Sequence, residues 1–182
     1  VRPSRRHSAD QTRSAGRDMV SIMNEALELD IGHKVLEIGT GCGWHASTVA
    51  EIVAPSSVDR NRWGHVYTIE IIPELAEMAR ENIRRAGFDD RVTVICGDGS
   101  LGLPEKAPFD RIFVTAAAPY VPPPLKRQLK NGGILLLPVG SVGFYQTLIR
   151  LRRLNDEFVE EDLGGVAFVP LTGKHGHKIY GY

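Results

Sequence analysis

The sequence predicts an α/β fold in which helices flank a doubly wound, mainly parallel sheet that ends in an antiparallel hairpin. Apolar runs of strand length alternate with helical patterns as far as residue 140, and a glycine-rich turn follows the first run. Two longer alternating runs then follow each other across Asn155-Asp156. With 182 residues the chain is long enough for one well-buried core. We therefore expect a basic arm over residues 1–18 and a single domain over residues 19–182.

Hydrophobic periodicity places the elements in order along the chain. The predicted helices are residues 19–29, with Gly32 at the end, then 45–53, 73–86 and 122–129. The predicted strands are residues 34–38, 65–70, 92–96, 109–115, 131–140, 145–153 and 158–168. In a doubly wound sheet, ligands bind outside the carboxyl ends of the strands, where the strand order reverses.

Charge and composition exclude several classes of partner. Lys plus Arg equals Asp plus Glu at 22 each, and 42% of residues are hydrophobic. This balance is typical of a globular protein without a strong field for nucleic acid or a membrane. No apolar run approaches the roughly 18 residues of a membrane span, and no secretory signal is visible. Cys42 and Cys96 form no CxxC motif, which suits a reducing compartment, so we expect a cytoplasmic protein.

The segment VLEIGTGCGW at residues 35–44 indicates where a ligand binds. A strand is followed by Gly39, Gly41 and Gly43 and then by a helix, whose free N–H groups point at the same spot. Glycines let the backbone approach a ligand with no Cβ in the way, although an ordinary βα loop has similar composition. The GxGxG spacing differs from the GxGxxG of dinucleotide sites, and no GxxxxGK[ST] motif occurs. A nucleoside-like cofactor other than NAD, FAD, ATP or GTP is favoured.

Carboxylates end the next two predicted strands. Glu70 closes the run HVYTIE, where a carboxylate can accept hydrogen bonds from both ribose hydroxyls. Asp98, in GDG after the third strand, can accept from an exocyclic amine such as that of adenine. The alternatives are a solvated strand end for Glu70 and an ordinary turn residue for Asp98. Together with the glycine turn, Glu70 favours ribose binding.

Two further segments bear on the site. The small residues AAAP at 116–119 follow the fourth strand and either leave room for a substrate or pack closely against another loop. His175 and His177 in KHGH could suggest a metal site, but they have no partner ligands in the sequence. We expect them to form a polar tail, and we expect no metal.

Five segments together resemble one known family. They are VLEIGTGCGW, YTIEIIPELAEMARENI, VICGDGSLGLPEKAPFDRIFVTAAAP, LKNGGILLLPVG and VPLTG. At these separations they are similar to the protein-L-isoaspartate O-methyltransferases over about residues 19–173. The resemblance implies a Rossmann-like class I methyltransferase fold of the seven-stranded type, with S-adenosyl-L-methionine as cofactor. It also implies methyl transfer to the free α-carboxyl of L-isoaspartyl residues in damaged proteins and peptides, whose ester then collapses to a succinimide.

The resemblance also implies roles for individual residues. The glycine turn would border the methionine part of the cofactor, Glu70 the ribose, and the GDG segment the adenine. The cofactor-binding residues implied are Gly39, Thr40, Gly41, Gly43, Glu70, Asp98 and Gly99. The substrate-binding residues expected are Thr115, Ala116 and Thr172.

The segment before the first helix departs from the family pattern. The family carries T-x-S-A-P-H-M, whereas this chain reads TRSAGRDM, without the proline and the histidine. Thr12, Ser14 and Ala15 match the motif, which makes Ser14 the implied catalytic residue. Met19, however, lies five residues after Ser14 instead of four. Counted back from Met19, the serine position falls on Ala15, so both registers stay open.

Two other functions stay open as well. The first is a class I methyltransferase for another acceptor, such as RNA or a small molecule, and the neutral charge argues against RNA. The second is an S-adenosylmethionine-binding module with lost or reduced activity, because of the irregular TRSAGRDM segment. For the favoured function the partners are isoaspartyl proteins and peptides, with neither nucleic acid nor membrane, and a monomer is expected.

Overall fold

A seven-stranded sheet with strand order β3-β2-β1-β4-β5-β6-β7 forms the centre of the computed structural model, which describes residues 17–141 and 143–178. The strands are β1 (Lys34–Ile38), β2 (His65–Glu70), β3 (Val92–Cys96), β4 (Phe109–Val114), β5 (Leu129–Gly140), β6 (Gln146–Leu154) and β7 (Glu157–Val166). The first five are mutually parallel, whereas β6 pairs antiparallel with β5 and with β7. The predicted doubly wound sheet with a terminal antiparallel hairpin is confirmed.

Helices cover both faces of this sheet. They are α1 (Arg17–Ala26), α2 (Trp44–Val53), α3 (Pro73–Arg85) and α4 (Pro123–Gln128). The strand order reverses at β1, since β2 lies on one side of it and β4 on the other. The glycine turn that follows β1 is therefore at the position where ligands bind in such sheets. No helix in the described part of the chain is long and apolar enough to cross a membrane.

The core consists of two apolar layers, one on each face of the sheet. Val35 and Phe113 face the layer formed with α1, α2 and α3, whereas Leu36 and Ile112 face the layer that includes Leu125 of α4. Neighbouring residues of a strand point to opposite faces, so a parallel strand covered on both faces is apolar throughout. This is why consecutive apolar residues occur in both strands, VL in β1 and IFV in β4, although Glu37 interrupts the apolar sequence of β1.

The first helix ends at Ala26, three residues before the predicted end, and Glu28 takes a positive φ of 48°. The last carbonyls of a helix lack partners within the helix. Here Arg111 donates from Nε to the Leu27 carbonyl and from Nη2 to the Glu28 carbonyl at 2.9 Å. Arg150 Nη1 donates to the Ala26 carbonyl at 3.3 Å. The predicted end was wrong because two arginines of distant strands cap the helix, although the apolar pattern continues beyond it.

The AAAP segment is packed between two other segments. The Ala117 N–H donates to the Val169 carbonyl at 2.7 Å, and the Ala117 carbonyl accepts from the Leu171 N–H at 2.8 Å. Ala118 is paired in the same way with the end of β5 through the Pro138 carbonyl, at 2.9 Å. Ala117 and Ala118 are fully buried. Close packing therefore explains these two small residues, and it brings the VPLTG segment to the carboxyl edge of the sheet.

Residues 174–178 do not form the polar tail that the sequence predicts. The Lys174 N–H donates to Asp98 Oδ2 at 2.8 Å, and the His175 N–H donates to Ser100 Oγ at 3.0 Å. The His177 N–H donates to the Leu171 carbonyl at 2.8 Å. The tail prediction was wrong because Asp98 and Ser100 offer acceptors to this backbone. Among the described residues there is no cluster of three or more His, Cys, Asp or Glu side chains that could hold a metal ion.

Replacing Arg111 tests whether the arginine cap fixes α1. Arg111→Ala should lower the free energy of unfolding by about 2–3 kcal/mol, because charge-assisted hydrogen bonds to two carbonyls are lost. Arg152→Ala is the matched control, since the side chain of Arg152 pairs with the half-exposed Glu28 carboxylate and donates to no helix carbonyl among the described residues. It should cost about 0–1 kcal/mol. Urea unfolding measures both values, and equal losses would show that the cap does not matter.

Candidate active site

Three glycines shape the turn after β1, and they do so for different reasons. Gly39, Gly41 and Gly43 have φ values of 94°, 54° and 85°, which residues other than glycine rarely adopt. A Cβ on Gly39 would collide with Thr115 Oγ1, and one on Gly43 would lie 2.9 Å from Ile83 Cγ1. A Cβ on Gly41 would meet nothing within 4 Å. Gly39 and Gly43 are therefore required by packing, and Gly41 faces open space where a ligand can approach.

Glu70 at the end of β2 fastens this turn. Its Oε2 accepts from the Gly41 N–H at 3.0 Å, and its Oε1 accepts from the Ile72 N–H at 3.1 Å. The side chain is buried at 6% exposure, yet it borders the cleft described next. An ionised carboxylate has about four acceptor positions, so two backbone donors leave capacity for two hydroxyl groups. This is the arrangement that a ribose diol requires.

A cleft of about 470 Å³ lies at the carboxyl edge of β1, β2 and β4. Its size falls within the range of about 300–1,000 Å³ that is usual for ligand sites. Seven residues predicted from the sequence line it, namely Gly39, Gly41, Glu70, Gly99, Thr115, Ala116 and Thr172. Its apolar side is formed by Ile71, Ile72 and Leu75, which sequence reasoning missed. The sequence signal for them was the pair of isoleucines, Ile71 and Ile72, directly after Glu70.

Three predicted residues do not line this cleft. Thr40 is 4% exposed, and its Oγ1 is 2.6 Å from Thr68 Oγ1, where either hydroxyl can donate. Gly43 is buried against α3. Asp98 accepts from the Ser100 N–H at Oδ1 and from the Lys174 N–H at Oδ2. Partial burial would raise the pKa of Asp98, but the hydrogen bonds from Ser100 and Lys174 hold it below its usual value. The adenine role of Asp98 stays a prediction.

A second cavity of about 230 Å³ lies on the other side of the glycine turn, against α1 and the start of α2. It shares Gly39, Gly41 and Thr115 with the larger cleft, so the two spaces meet at the turn. The other residues that line it are Met19, Val20, Met23, Glu37, Thr40, Cys42, Trp44, His45 and Phe168. The first helix, α1, begins at Arg17, within the TRSAGRDM segment of residues 12–19. Ser14, the predicted catalytic residue, lies outside the described residues, as does the alternative Ala15.

Comparisons with known proteins identify the family. A sequence model described as Protein-L-isoaspartate(D-aspartate) O-methyltransferase matches residues 4–176. The chain belongs to this family. A curated protein-L-isoaspartate O-methyltransferase from Hyperthermus butylicus is 52% identical over 162 residues, which cover 89% of this chain and 67% of the relative. One from Methanothermobacter thermautotrophicus is 53% identical over 163 residues, which cover 89% of this chain and 71% of the relative.

Solved structures agree with the family assignment. A protein-L-isoaspartate O-methyltransferase superposes with a TM-score of 0.79 at 30% identity, over 90% of this chain and 49% of that chain. This chain thus spans about half the length of that structure. A Plasmodium falciparum structure in complex with S-adenosyl-L-homocysteine has a TM-score of 0.73 at 22% identity, over 86% of this chain and 74% of that chain. The second match shows the fold alone, and both confirm the class I methyltransferase fold that the resemblance implied.

Glu37 places a carboxyl group between buried apolar residues of β1. It is fully buried, its Oε2 accepts from Thr68 Oγ1 at 2.6 Å, and its Oε1 has no hydrogen-bond partner among the described residues. The pKa of Glu37 is raised to about 8, mainly by burial; the Thr68 hydrogen bond opposes this rise, and the nearby charge of Glu70 adds to it. Glu37 is therefore mainly protonated at neutral pH. Sequence reasoning missed it, although a lone acid within VLEI was the signal.

His45 is the other titratable side chain with a shifted pKa in the second cavity. Burial lowers the pKa of His45 to about 4, so the ring is neutral at neutral pH. Its Nε2 lies 2.9 Å from Asn24 Oδ1, and its ring packs on Phe113 with the ring centroids 4.4 Å apart. No lysine or arginine is among the described residues that line either space. The two spaces therefore suit a ligand that brings its own positive charge.

The buried carboxyl group predicts a pH dependence of stability. Because the pKa of Glu37 is about 8 in the folded protein against a usual 4.5, the folded state holds a proton that the unfolded state releases between these values. The stabilisation is complete below pH 4.5 and is lost as the pH rises through about 8. In Glu37→Gln this dependence should disappear. The free energy of unfolding of the parent should then fall relative to the variant by up to roughly 1.4 kcal/mol per pH unit.

Urea unfolding at several pH values between 4.5 and 8 measures this difference. Subtracting the variant's free energy of unfolding from the parent's at each pH removes the contribution of His45, which both proteins share. Glu77→Gln is the control for loss of an exposed carboxylate, since Glu77 lies on the solvent side of α3. Parallel curves for the parent and Glu37→Gln would show that Glu37 is ionised in the folded protein.

Proposed function

We propose that this chain transfers a methyl group from S-adenosyl-L-methionine to the free α-carboxyl of L-isoaspartyl residues in damaged proteins and peptides. The proposal is supported by the combination of family membership with the position and lining of the cleft. A member of the protein-L-isoaspartate O-methyltransferase family has a cleft at the switch point of its sheet, and Glu70 is the only charged residue among those described that line it. The repair follows when the new ester collapses to a succinimide without help from the enzyme.

The proposed residue roles are those that the family resemblance implies, and the lining of the cleft supports them for the residues that border it. Gly39 and Gly41 border the methionine part of the cofactor, and Thr40 and Gly43 act by holding the turn in shape. Glu70 accepts from the ribose hydroxyls. The proposed adenine residues are Asp98 and Gly99, and the proposed acceptor residues are Thr115, Ala116 and Thr172, with Ser14 as the catalytic residue that orients the carboxylate.

The chemistry needs positioning more than proton transfer. When bound, S-adenosylmethionine supplies a methyl group on a positively charged sulfur. The acceptor carboxylate is already an anion at neutral pH, so one C–O bond forms while the C–S bond breaks and its electron pair stays on sulfur. No proton moves in this step, and no general base is required. The apolar side chains of Ile71, Ile72 and Leu75 would cover one side of the bound cofactor, and the turn held by Glu70 would fix its position relative to the acceptor.

We also propose that the protein works in the cytoplasm, as a monomer, on polypeptides and not on nucleic acid or membranes. The balanced charge of the chain supports the absence of a nucleic-acid partner. Cys42 and Cys96 are free and exposed, which is usual in a reducing compartment.

Methyl transfer from labelled S-adenosylmethionine to an isoaspartyl peptide tests the proposal. The parent should label this peptide and leave its normal aspartyl twin unlabelled. Ser14→Ala should lower turnover about tenfold to a thousandfold, because a positioning hydrogen bond is lost, and should leave cofactor affinity unchanged. If Ala15 holds the serine position instead, Ser14→Ala should have little effect and Ala15→Ser should raise turnover.

A parent protein that binds the cofactor but labels no isoaspartyl peptide would refute the repair function. It would favour the binding module or another acceptor. A parent that labels both peptides equally would point to a general carboxyl methyltransferase.

A further inference from the structure

A third space in the molecule has a different character from the two described above. It is a cleft of about 370 Å³ between α4, the end of β6 and the start of β7. The residues that line it are Val121, Pro123, Lys126, Arg127, Arg153 and Phe158, and we call it the cationic cleft. It shares no residue with the cofactor cleft or the second cavity. The reaction described above does not use it.

The three cations of this cleft, Lys126, Arg127 and Arg153, have no carboxylate partners among the described residues. Lys126 Nζ lies over the ring of Phe158, 4.4 Å from its centroid. Arg153 donates to the carbonyls of Asn155 and Leu129 at 2.9 and 2.6 Å, and these groups carry no charge. Every ion pair between described residues involves other side chains. The positive charge of the cleft is therefore not used in an ion pair within the described part of the chain.

The surroundings of the cleft favour a short carboxylate-bearing peptide over a nucleic acid. The neighbouring strand β7 carries four exposed acids, Glu157, Glu160, Glu161 and Asp162. A phosphate backbone that extended beyond the cleft would meet these like charges, whereas a short acidic segment would not. One face of Phe158 is already covered by Lys126, which reduces its use for base stacking. Val121 and Pro123 offer apolar contact to side-chain stems.

The cationic cleft is within reach of a polypeptide that reacts in the cofactor cleft. Ala116 lines the cofactor cleft and Val121 lines the cationic cleft, five residues further along the chain. Five residues span at most about 17 Å, so an acceptor can bridge the two clefts with about five to eight of its own residues. Tyr120, which is 48% exposed, lies between them in the sequence and offers an aromatic surface on the way.

We propose that the cationic cleft docks a carboxylate-rich stretch of the acceptor polypeptide, about five to eight residues from the isoaspartyl residue. The proposal rests on the proposed function, since it assigns the acceptor a second contact. The cleft discriminates among damaged proteins by the charge near the damage. The reacting carboxylate itself is bound elsewhere.

Kinetics with matched peptides test this docking. Two isoaspartyl peptides carry either three glutamates or three glutamines about six residues from the isoaspartyl residue. The parent should show a KM about threefold to tenfold lower for the acidic peptide, with equal kcat, as expected for a few exposed ion pairs. The double variant Lys126→Gln and Arg127→Gln should lose this KM ratio and keep the kcat and KM of the neutral peptide. Arg153 is left intact because it holds two backbone carbonyls.

Arg62→Gln is the matched control, because Arg62 is exposed before β2 and has no ion pair among the described residues. This variant should keep the KM ratio. The ratio should also shrink with added salt, since exposed charges are screened. Equal KM values for both peptides in the parent, or a ratio that survives in the double variant, would overturn the proposal.

A binding measurement keeps this test separate from that of the proposed function. Fluorescence anisotropy with a labelled acidic peptide that contains no isoaspartate reports on the cleft even if the chain methylates nothing. The parent and Arg62→Gln should bind it about threefold to tenfold more tightly than the double variant does. Equal binding by all three proteins would overturn the docking. Stronger competition by a single-stranded polynucleotide than by the acidic peptide would also overturn it, in favour of a nucleic acid.

Discussion

The hydrogen bond from the Gly41 N–H to the Glu70 carboxylate, at 3.0 Å, is the contact on which the candidate site depends. It joins the turn after β1 to the end of β2. The same turn is held from β4, because Thr115 Oγ1 donates to the Gly39 carbonyl at 2.6 Å. A turn fixed from both neighbouring strands has its ligand-facing geometry before any ligand arrives, and preorganisation of this kind reduces the cost of binding.

Two carboxyl groups near this turn have different environments and hence different uses. Glu70 accepts hydrogen bonds from two backbone N–H groups and faces the cleft, where hydroxyl groups can reach it. Glu37 lies beneath the turn at the wall of the second cavity, with a single hydroxyl donor among the described residues, and keeps its proton. The positive charge of S-adenosylmethionine would thus meet one accessible carboxylate and no competing cation. The charge and the shape of the site both favour S-adenosylmethionine. Neither Glu70 nor Glu37 is needed as a catalytic base.

Much of the fold could be predicted, because local pattern and tertiary structure agree in its centre. The bounds of β1, β2 and β3 match the prediction, since apolar runs end in glycine or acidic residues there. The end of α1 and the course of residues 174–178 could not be predicted, because Arg111 and Asp98 determine them across long sequence separations. The protonated state of Glu37 follows from burial, which no single-sequence pattern reports. The role of Ser14 stays a prediction.

Calorimetric titration with S-adenosylmethionine shows whether Glu70 and the turn after β1 form the cofactor site. The parent should bind S-adenosylmethionine and not NAD. Glu70→Ala should weaken binding by about 1–3 kcal/mol, because charge-assisted hydrogen bonds to the ribose are lost. Glu77→Ala, which removes an exposed acid on the neighbouring helix, should leave the affinity unchanged. Equal affinities for the parent and Glu70→Ala, with both proteins folded by circular dichroism, would show that Glu70 does not bind the cofactor.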